Sequence, residues 1–290
     1  MNNTVKNVIL TPFNGLYRLS PEADLKLLFR LKQGYPLDLK HPRTYSEKLQ
    51  WIKLYDKNPL MPICCDKYAV RGYVEEKGCG EILNRLIWQG FDPADIPFDD
   101  LPKKCAIKVT HGSTFNILCR DTAALDREDA VRKCRKWLKA KYLPCYGEWF
   151  YGIEKPRIIV EEYIDTPDPE GLRDYKVYCF NGKARMVAVH SDRFGAHKKD
   201  LYDRDWNYME GKAIGHPASG KIMERPAVWD KVLEYAERLS EPFYHARVDF
   251  YIVGDRIIFG EITFIPGVGF DRFSSYDFDL EVGSWLSLPV

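Results

Sequence analysis

No apolar run in the sequence approaches the roughly 18 residues that a membrane-spanning helix needs. The opening residues, MNNTVKNVILTPFNG, lack the long apolar core of a secretion signal. The eight cysteines, at 64, 65, 79, 105, 119, 134, 145 and 179, include no C-x-x-C pair and no Cys/His set at zinc spacing. Reduced thiols in a cytoplasmic protein are therefore expected rather than a disulfide framework or a structural zinc, and no flanking sequence marks any thiol as a nucleophile. Charge of one sign is lacking as well: 43 Lys and Arg against 42 Asp and Glu leave a net charge of +1, which calls for neither a nucleic acid nor a membrane surface. There is no internal repeat, no low-complexity segment and no G-x-x-x-x-G-K-[ST] phosphate loop. What is there is an ordinary globular composition, 45% hydrophobic and 29% charged, over 290 residues. That is enough for two lobes or one large α/β domain.

The most informative stretch is RVDFYIVGDRIIFGEITFIPGVGF, Arg247 to Phe270. Two runs rich in Val, Ile, Phe and Tyr flank Gly254-Asp255-Arg256 and predict a β-hairpin. A two-residue turn at Gly254-Asp255 would set Asp249 opposite Gly260. A three-residue turn, Gly254 to Arg256, sets Asp249 opposite Glu261 and Arg247 opposite Thr263, and is preferred because it sorts the faces. Val248, Phe250, Ile252, Ile258, Gly260 and Ile262 then share an apolar face. Arg247, Asp249, Tyr251, Phe259, Glu261 and Thr263 share the other. Two carboxylates paired across strands repel. Either a hard divalent cation satisfies them, together with waters and substrate phosphates, or Arg247 neutralises the pair and nothing binds. The Pro/Gly loop that follows, Phe264 to Gly269, has backbone N–H groups to offer an anion.

Along the rest of the chain, residues 1 to 60 read as mostly helical. Ser20-Pro21-Glu22 is a helix start, and Thr44 and Glu47 are spaced as a capping box. A helix is expected from Asp66 to Val74. It carries Lys67 and Arg71 four apart on one face, either a solvated surface or an anion site. Residues 85 to 120 read as three strands with loops. Lys108 lies inside the strand Cys105 to Thr110, an unusual place for a residue that is almost never buried unpaired. The small-residue turn His111-Gly112-Ser113 follows it, either a plain hairpin turn or a cover for a phosphate. Residues 126 to 141 form a basic amphipathic helix with a solvated charged face. Arg157 to Ile164 is a strand whose continuous apolar half predicts a central place in a sheet. Arg173 to Phe180 and Lys183 to His190 flank Asn181-Gly182, the strongest hairpin signal in the chain, and put Asp174 and Lys176 on one face. Residues 191 to 220 read as polar and irregular, and 226 to 239 as a helix.

The order of these features resembles the ATP-grasp fold, an α/β (α+β) architecture of two lobes clamping ATP. The segments Asp66 to Arg71, Lys108 to Ile117, Asp174 to Lys183 and Arg247 to Phe264 resemble its TupA-like branch, named for a protein of teichuronic acid biosynthesis. The resemblance covers about residues 40 to 288. It implies a short helical N-terminal region (1–60), a first lobe (61–156) and a second lobe with the metal-binding hairpin (157–290). It implies that Lys67 and Lys108 contact phosphates, with His111, Gly112 and Ser113 over them. Glu161, Glu162, Tyr163 and Ile164 match the hinge that faces adenine, and Asp174 would face the ribose. Lys176 would meet the terminal phosphate, and Asp249 and Glu261 would hold Mg²⁺. Thr263 stands where the wider superfamily most often has Asn, a shorter side chain for a third metal ligand. Arg193 has poorly matching flanks.

The function implied is ATP- and Mg²⁺-dependent ligation, in which a carboxylate becomes an acyl phosphate and an amine or similar nucleophile displaces phosphate. Lys176 and Arg247 are the expected catalytic residues, with Arg247 gripping the acceptor carboxylate as a bidentate fork. The substrate class implied is a surface polysaccharide or its precursor. Two alternatives are a glycosyltransferase, for which Asp203-Arg204-Asp205 and Asp277-Phe278-Asp279 supply D-x-D patterns, and a nucleotide-binding protein without catalysis. Neither D-x-D pattern follows a clear apolar strand.

Overall fold

The computed structural model describes residues 3–168, 171–191 and 198–290. The chain opens with α1 (Asn3–Leu19), α2 (Pro21–Gln33) and α3 (Tyr45–Tyr55), and their ends follow local chemistry. The Ala23 amide donates to the Ser20 hydroxyl, Pro21 takes the first helical position, and Gly34 closes α2 at φ 87°. The Glu47 amide donates to Thr44 Oγ1 while the Thr44 amide donates to the Glu47 carboxylate, so the expected capping box forms.

Two short helices, α4 (Leu60–Cys65) and α5 (Val70–Glu76), come next. The helix expected from Asp66 begins four residues late. Asp66 Oδ1 accepts from the Tyr68 and Ala69 amides, both at 2.9 Å, and so caps a turn ahead of α5.

The first sheet contains β1 (Leu86–Gly90), β2 (Cys105–Val109), β3 (Asn116–Cys119) and β4 (Ile158–Glu162), with α6 (Arg127–Leu138) between β3 and β4 in sequence. It is antiparallel, in the order β1-β4-β2-β3. The interior place of β4 accounts for its unbroken apolar half, since Ile158, Ile159 and Val160 meet packing on both faces. β4 thus lies in the first sheet, although its residues follow the expected division at 156.

The second sheet contains β5 (Asp174–Phe180), β6 (Lys183–Ser191), β7 (Lys198–Asp203), β8 (His245–Val253) and β9 (Arg256–Thr263), ordered β7-β6-β5-β8-β9. α7 (Trp229–Ser240) lies before β8 in sequence, and α8 (Tyr276–Ser284) follows β9. Asn181 and Gly182, at φ 48° and 75°, form the expected two-residue turn between Phe180 and Lys183. Two expectations need correction. The segment 191–220 is not wholly irregular, because β7 pairs along β6 from Ser191↔Lys198 to Met186↔Asp203. α7 starts at Trp229, three residues beyond Pro226.

The β8–β9 hairpin corrects a third. Val253 pairs with Arg256, so the turn is the two-residue Gly254-Asp255 and not the three-residue one. A β-bulge at Gly260 then shifts the register by one residue, which restores Asp249↔Glu261 and Arg247↔Thr263. A Cβ at Gly260 would lie 3.0 Å from the Asp249 carbonyl oxygen, which is why glycine suits the bulge. The shift also exchanges two side chains: Phe259 pairs with Phe250, and Ile258 with Tyr251.

The two faces of this sheet differ in kind. On one, Cys179 meets the α7 backbone at Ala236, with Trp229, Val232 and Leu239 buried along that helix. On the other, Tyr45 of α3 packs edge-on to Phe180 and His245. His245 Nδ1 donates to the Phe264 carbonyl (2.8 Å), so Nε2 accepts from Tyr45 Oη (3.0 Å). Burial lowers this imidazole to about 4, so it stays neutral. α3 thereby covers one end of this face and leaves the other end, with Asp174, Lys176 and Asp249, turned toward the first sheet. Among the described residues no helix is long and apolar enough to cross a membrane.

The N-terminal helices bury charge. Lys53 of α3 is wholly buried, donating to Gln50 Oε1 and to the Val268 carbonyl, each at 2.7 Å. Neither carboxylate oxygen of buried Asp24 on α2 has a hydrogen-bond partner, and burial raises this carboxyl to about 6, against the pull of Lys53. A carboxyl whose folded pKa is raised favours the fold while protonated and loses that advantage as pH rises from about 4 through 6. Asp24→Asn should therefore melt a few degrees above the wild type at pH 7.5, at about 2–4 °C per kcal/mol for a chain of this size. The gain should vanish near pH 4. Equal melting temperatures at pH 7.5 would contradict the unpaired carboxylate.

Candidate functional site

On the second sheet the charges are paired before any ligand arrives. Lys176 on β5 stands directly opposite Asp249 on β8 and donates to its Oδ2. Its ammonium also lies 2.7 Å from Asp174 Oδ2. Arg247, two residues before Asp249, grips the same carboxylate through Nε to Oδ1 (2.7 Å) and Nη2 to Oδ2 (2.8 Å). Nη2 also reaches Thr263 Oγ1 (3.0 Å) and Glu261 Oε1 (3.4 Å). Asp174 and Asp249 are each 2% exposed, whereas the Glu261 side chain is 39% exposed. Burial pushes the Asp249 carboxyl upward, and Arg247 and Lys176 pull it back. Burial also disfavours charge on Arg247, but the Asp249 carboxylate outweighs it and holds the guanidinium protonated. Arg247 thus neutralises Asp249, while Glu261 keeps an accessible carboxylate.

The first sheet presents a second ionic set. Lys108 on β2 donates to Glu161 Oε2 on β4 at 2.6 Å. Arg71 of α5 donates to the other oxygen at 3.2 Å and to the Asn84 carbonyl at 2.9 Å. The strand-interior lysine is therefore paired, as its position required. Glu162 is engaged through its main chain: its amide donates to the Arg85 carbonyl, and its carbonyl accepts from Asn84 Nδ2 at 2.8 Å. Its carboxylate lies 3.4 Å from Arg256. Tyr163 and Ile164 continue beyond the strand, with Tyr163 Oη accepting from Arg120 Nε.

Lys67 joins the two sets. Its ammonium donates to the Gly112 carbonyl at 2.9 Å and lies 3.9 Å from Glu261 Oε2. Gly112 takes φ 84°, and the Phe115 ring occupies the place a Cβ would need. His111 Nε2 donates to the Ala140 carbonyl at 2.9 Å, leaving Nδ1 buried without a partner, while Ser113 is exposed. A cavity between the sheets is lined by Lys67, Arg71, Lys108, Glu161, Phe259 and Gly260.

Other expected residues lie elsewhere. Asp203 accepts from the Asp205 and Asn207 amides in a turn, and buried Asp279 accepts from the Ser46 amide and from Tyr35 Oη. The first aspartate of one D-x-D pattern and the last of the other are committed to local structure. Arg193 lies outside the described residues. None of the eight cysteines is in a disulfide, and burial pushes Cys105 and Cys134 up to about 11, far from a thiolate at neutral pH. The sequence left the partner of Arg71 open and passed over Asn84. The polar dipeptide Asn84-Arg85 just before a strand was its only signal. Among the described residues no group of three or more His, Cys, Asp or Glu is placed to hold a metal ion.

The family described as TupA-like ATPgrasp matches residues 47–287, and the chain belongs to it. The architecture is accordingly an ATP-grasp fold preceded by a helical region. Among solved structures it is similar to D-alanine–D-alanine ligase from Bacillus anthracis complexed with ATP, with 16% identity and a TM-score of 0.44 over 71% of this chain and 56% of that one. It is similar to D-alanine–D-alanine ligase from Helicobacter pylori, with 12% identity and a TM-score of 0.47 over 83% and 69%. N5-carboxyaminoimidazole ribonucleotide synthetase from Thermus thermophilus shows 15% identity and a TM-score of 0.41 over 75% and 51%. The chain spans 56% of the length of the Bacillus anthracis enzyme and 51% of the Thermus thermophilus one. No curated protein matches.

The pairing predicts unequal costs for removing the two hairpin carboxylates. Asp249→Ala removes the shared buried counter-ion of two cations, leaving Lys176 to Asp174 and Arg247 to Glu261 and Thr263, and should destabilise the fold by about 3 kcal/mol. Glu261→Gln, at a half-open position, should cost less than about 1 kcal/mol. Urea unfolding checks both, and equal costs would contradict the assignment of Asp249 as the buried counter-ion.

Proposed function

We propose that the chain is an ATP- and Mg²⁺-dependent ligase that activates a carboxylate as an acyl phosphate for attack by an amine or similar nucleophile. The observation that carries this reading is the place of Lys67. One ammonium touches the small-residue loop of the first lobe and the exposed carboxylate of the hairpin in the second. In this reading the triphosphate lies along that junction. Lys67 and Lys108 neutralise phosphate charge, and the loop His111-Gly112-Ser113 covers it. The main chain of Tyr163 and Ile164 borders the base, with Glu161 and Glu162 behind it, and Asp174 faces the ribose.

The hairpin donors suit a hard divalent cation. They are carboxylate oxygens paired across strands, with Glu261 exposed enough to turn toward a ligand, and the remaining positions would fall to phosphate oxygens and water. Asp249 and Glu261 would hold Mg²⁺, which offsets the developing charge on the phosphates. Thr263 Oγ1 accepts from Arg247, so it serves a metal only if that guanidinium turns to the acceptor.

The chain's own groups then perform two displacements. Arg247 orients the acceptor carboxylate, whose oxygen attacks the terminal phosphorus of ATP. The bond to the bridging oxygen breaks and ADP leaves. Lys176 stabilises the phosphoryl oxygens as they transfer. An amine next attacks the acyl carbon, the bond to the phosphate oxygen breaks, and phosphate departs carrying the amine's proton as the amide forms. For the substrate we favour a uronic acid of a surface polysaccharide or its precursor, on the family resemblance.

ATP with Mg²⁺ should raise the melting temperature of the wild type by mass action. Lys108→Ala should lose most of that shift. With ATP, hydroxylamine and a panel of uronic acids, the correct acid should yield a hydroxamate with release of ADP and phosphate. Glu261→Gln should abolish it while remaining folded. Release of AMP, or sugar transfer from a sugar nucleotide without ATP, would refute the ligase reading.

A further inference from the structure

Charge is spread unevenly along the chain. Residues 127–141 hold seven Lys and Arg against two Asp and Glu, in a chain whose net charge is +1. Ala130 and Cys134 of α6 are buried, and the Trp137 ring stacks on Phe115 at 5.6 Å, which fixes the face turned to the first lobe. Arg132, Arg135, Lys136 and Lys139, all exposed, follow at i, i+3, i+4 and i+7 and form a stripe on the opposite face. The stripe is about 10 Å long. Arg132 pairs with Asp129. The side chains of Arg135, Lys136, Lys139 and the exposed Lys141 just beyond the helix have no partner among the described residues. Cations in a last turn favour the helix dipole, but Arg132 with Lys136 and Arg135 with Lys139 are like charges four residues apart, which disfavour the helix. A counter-charge from outside the chain would relieve both pairs.

The stripe ends beside the candidate site. Just past α6, the Ala140 carbonyl accepts from His111 Nε2 at 2.9 Å, and the Tyr142 ring meets His111 edge-on at 6.5 Å. The next residue of that loop, Gly112, accepts from Lys67, whose ammonium lies 3.9 Å from Glu261. We infer that the α6 stripe is a docking surface for an acidic polymer bearing carboxylates, held there while one of its carboxylates enters the cleft. This deepens the ligase reading and rests on it for the chemistry in the cleft. Other polyanions fit the face less well. Single-stranded nucleic acid calls for aromatic faces open to the bases, and Trp137 is engaged with Phe115. An anionic membrane calls for apolar anchors among the cations, and none of the exposed large apolar side chains lies on α6. A row of point charges without stacking or apolar contacts matches a polymer recognised by charge alone.

The test titrates the full chain by calorimetry with polygalacturonate and with poly-L-glutamate, which carry carboxylates on a saccharide and on a peptide backbone. Duplex DNA, oligothymidylate and phosphatidylglycerol vesicles are titrated alongside at the same ionic strength. The wild type should bind at least one carboxylate polymer more tightly than DNA or vesicles, and the tighter of the two names the backbone. Added salt should weaken that binding. The combined variant Arg135→Gln, Lys136→Gln, Lys139→Gln should lose affinity by about tenfold, the scale of three exposed ion pairs. It should keep the wild-type melting temperature and its shift with ATP–Mg²⁺. The combined variant Arg135→Lys, Lys136→Arg, Lys139→Arg, which keeps the charges, should bind as the wild type does. Full polymer affinity in the glutamine variant overturns the inference. So does a wild type that binds neither carboxylate polymer, or that binds DNA, oligothymidylate or vesicles at least as tightly. A wild type that binds a carboxylate polymer through the stripe but shows no shift with ATP–Mg²⁺ supports the docking surface and counts against the ligase reading.

Discussion

The buried ionic set of Lys176, Asp249 and Arg247 is the constraint on which the second lobe depends. A bidentate guanidinium and an ammonium converge on one carboxylate that is 2% exposed. Such a set tolerates loss of a partner poorly, because the remaining charge stays buried. Its geometry requires Asp249 to stand opposite both Lys176 on β5 and Glu261 on β9, which fixes the register of three strands at once. The Gly260 bulge is the local cost of meeting that demand with a two-residue turn. Without the bulge, Asp249 would face Gly260, and Glu261 would lose its place across from the ionic set.

A correct pairing is thus legible in the sequence for an incorrect reason. Alternation of apolar and polar residues places Asp249 opposite Glu261 only if one extra residue is inserted somewhere in the hairpin. The pattern alone puts it in the turn, and the structure puts it at Gly260. Periodicity counts residues between two points but does not say where the irregular one lies. The glycine in mid-strand was the available signal. β7 was missed for a related reason. Its exposed-looking charges, Lys198, Lys199 and Asp200, mask the alternation, and Lys199 and Asp200 are in fact buried. Helix caps were legible because they are satisfied within four residues of sequence. The pairings of Arg71 with Glu161 and of Lys199 with Asp271 span 90 and 72 residues, and nothing local encodes them.

The two lobes solve the same electrostatic problem in different ways. In the first, Glu161 holds Lys108 and Arg71 at the cavity, so cations are kept in place by a carboxylate from the neighbouring strand. In the second, cations hold a carboxylate. On the reading proposed above, a triphosphate entering between them exchanges these protein counter-ions for phosphate oxygens, Lys108 leaving Glu161 and Lys67 leaving Glu261. The existing ion pairs hold the ammonium groups in position beforehand, which lowers the ordering cost of such binding.

The helical N-terminal region belongs to this scheme through the loop after β9. Lys53 donates to the Val268 carbonyl and Gln50 to that of Gly269, both at 2.7 Å. Val268 and Gly269 take positive φ values of 58° and 68°, strained for a β-branched residue such as valine. The loop's own amides close it internally, Val268 donating to the Ile265 carbonyl and Phe270 to that of Gly267, each at 3.1 Å. Pro266 and Gly269 border the cavity that Tyr178 and Asp271 complete. α3 therefore does more than cover apolar surface: it holds the loop that follows the hairpin through the carbonyls of Val268 and Gly269.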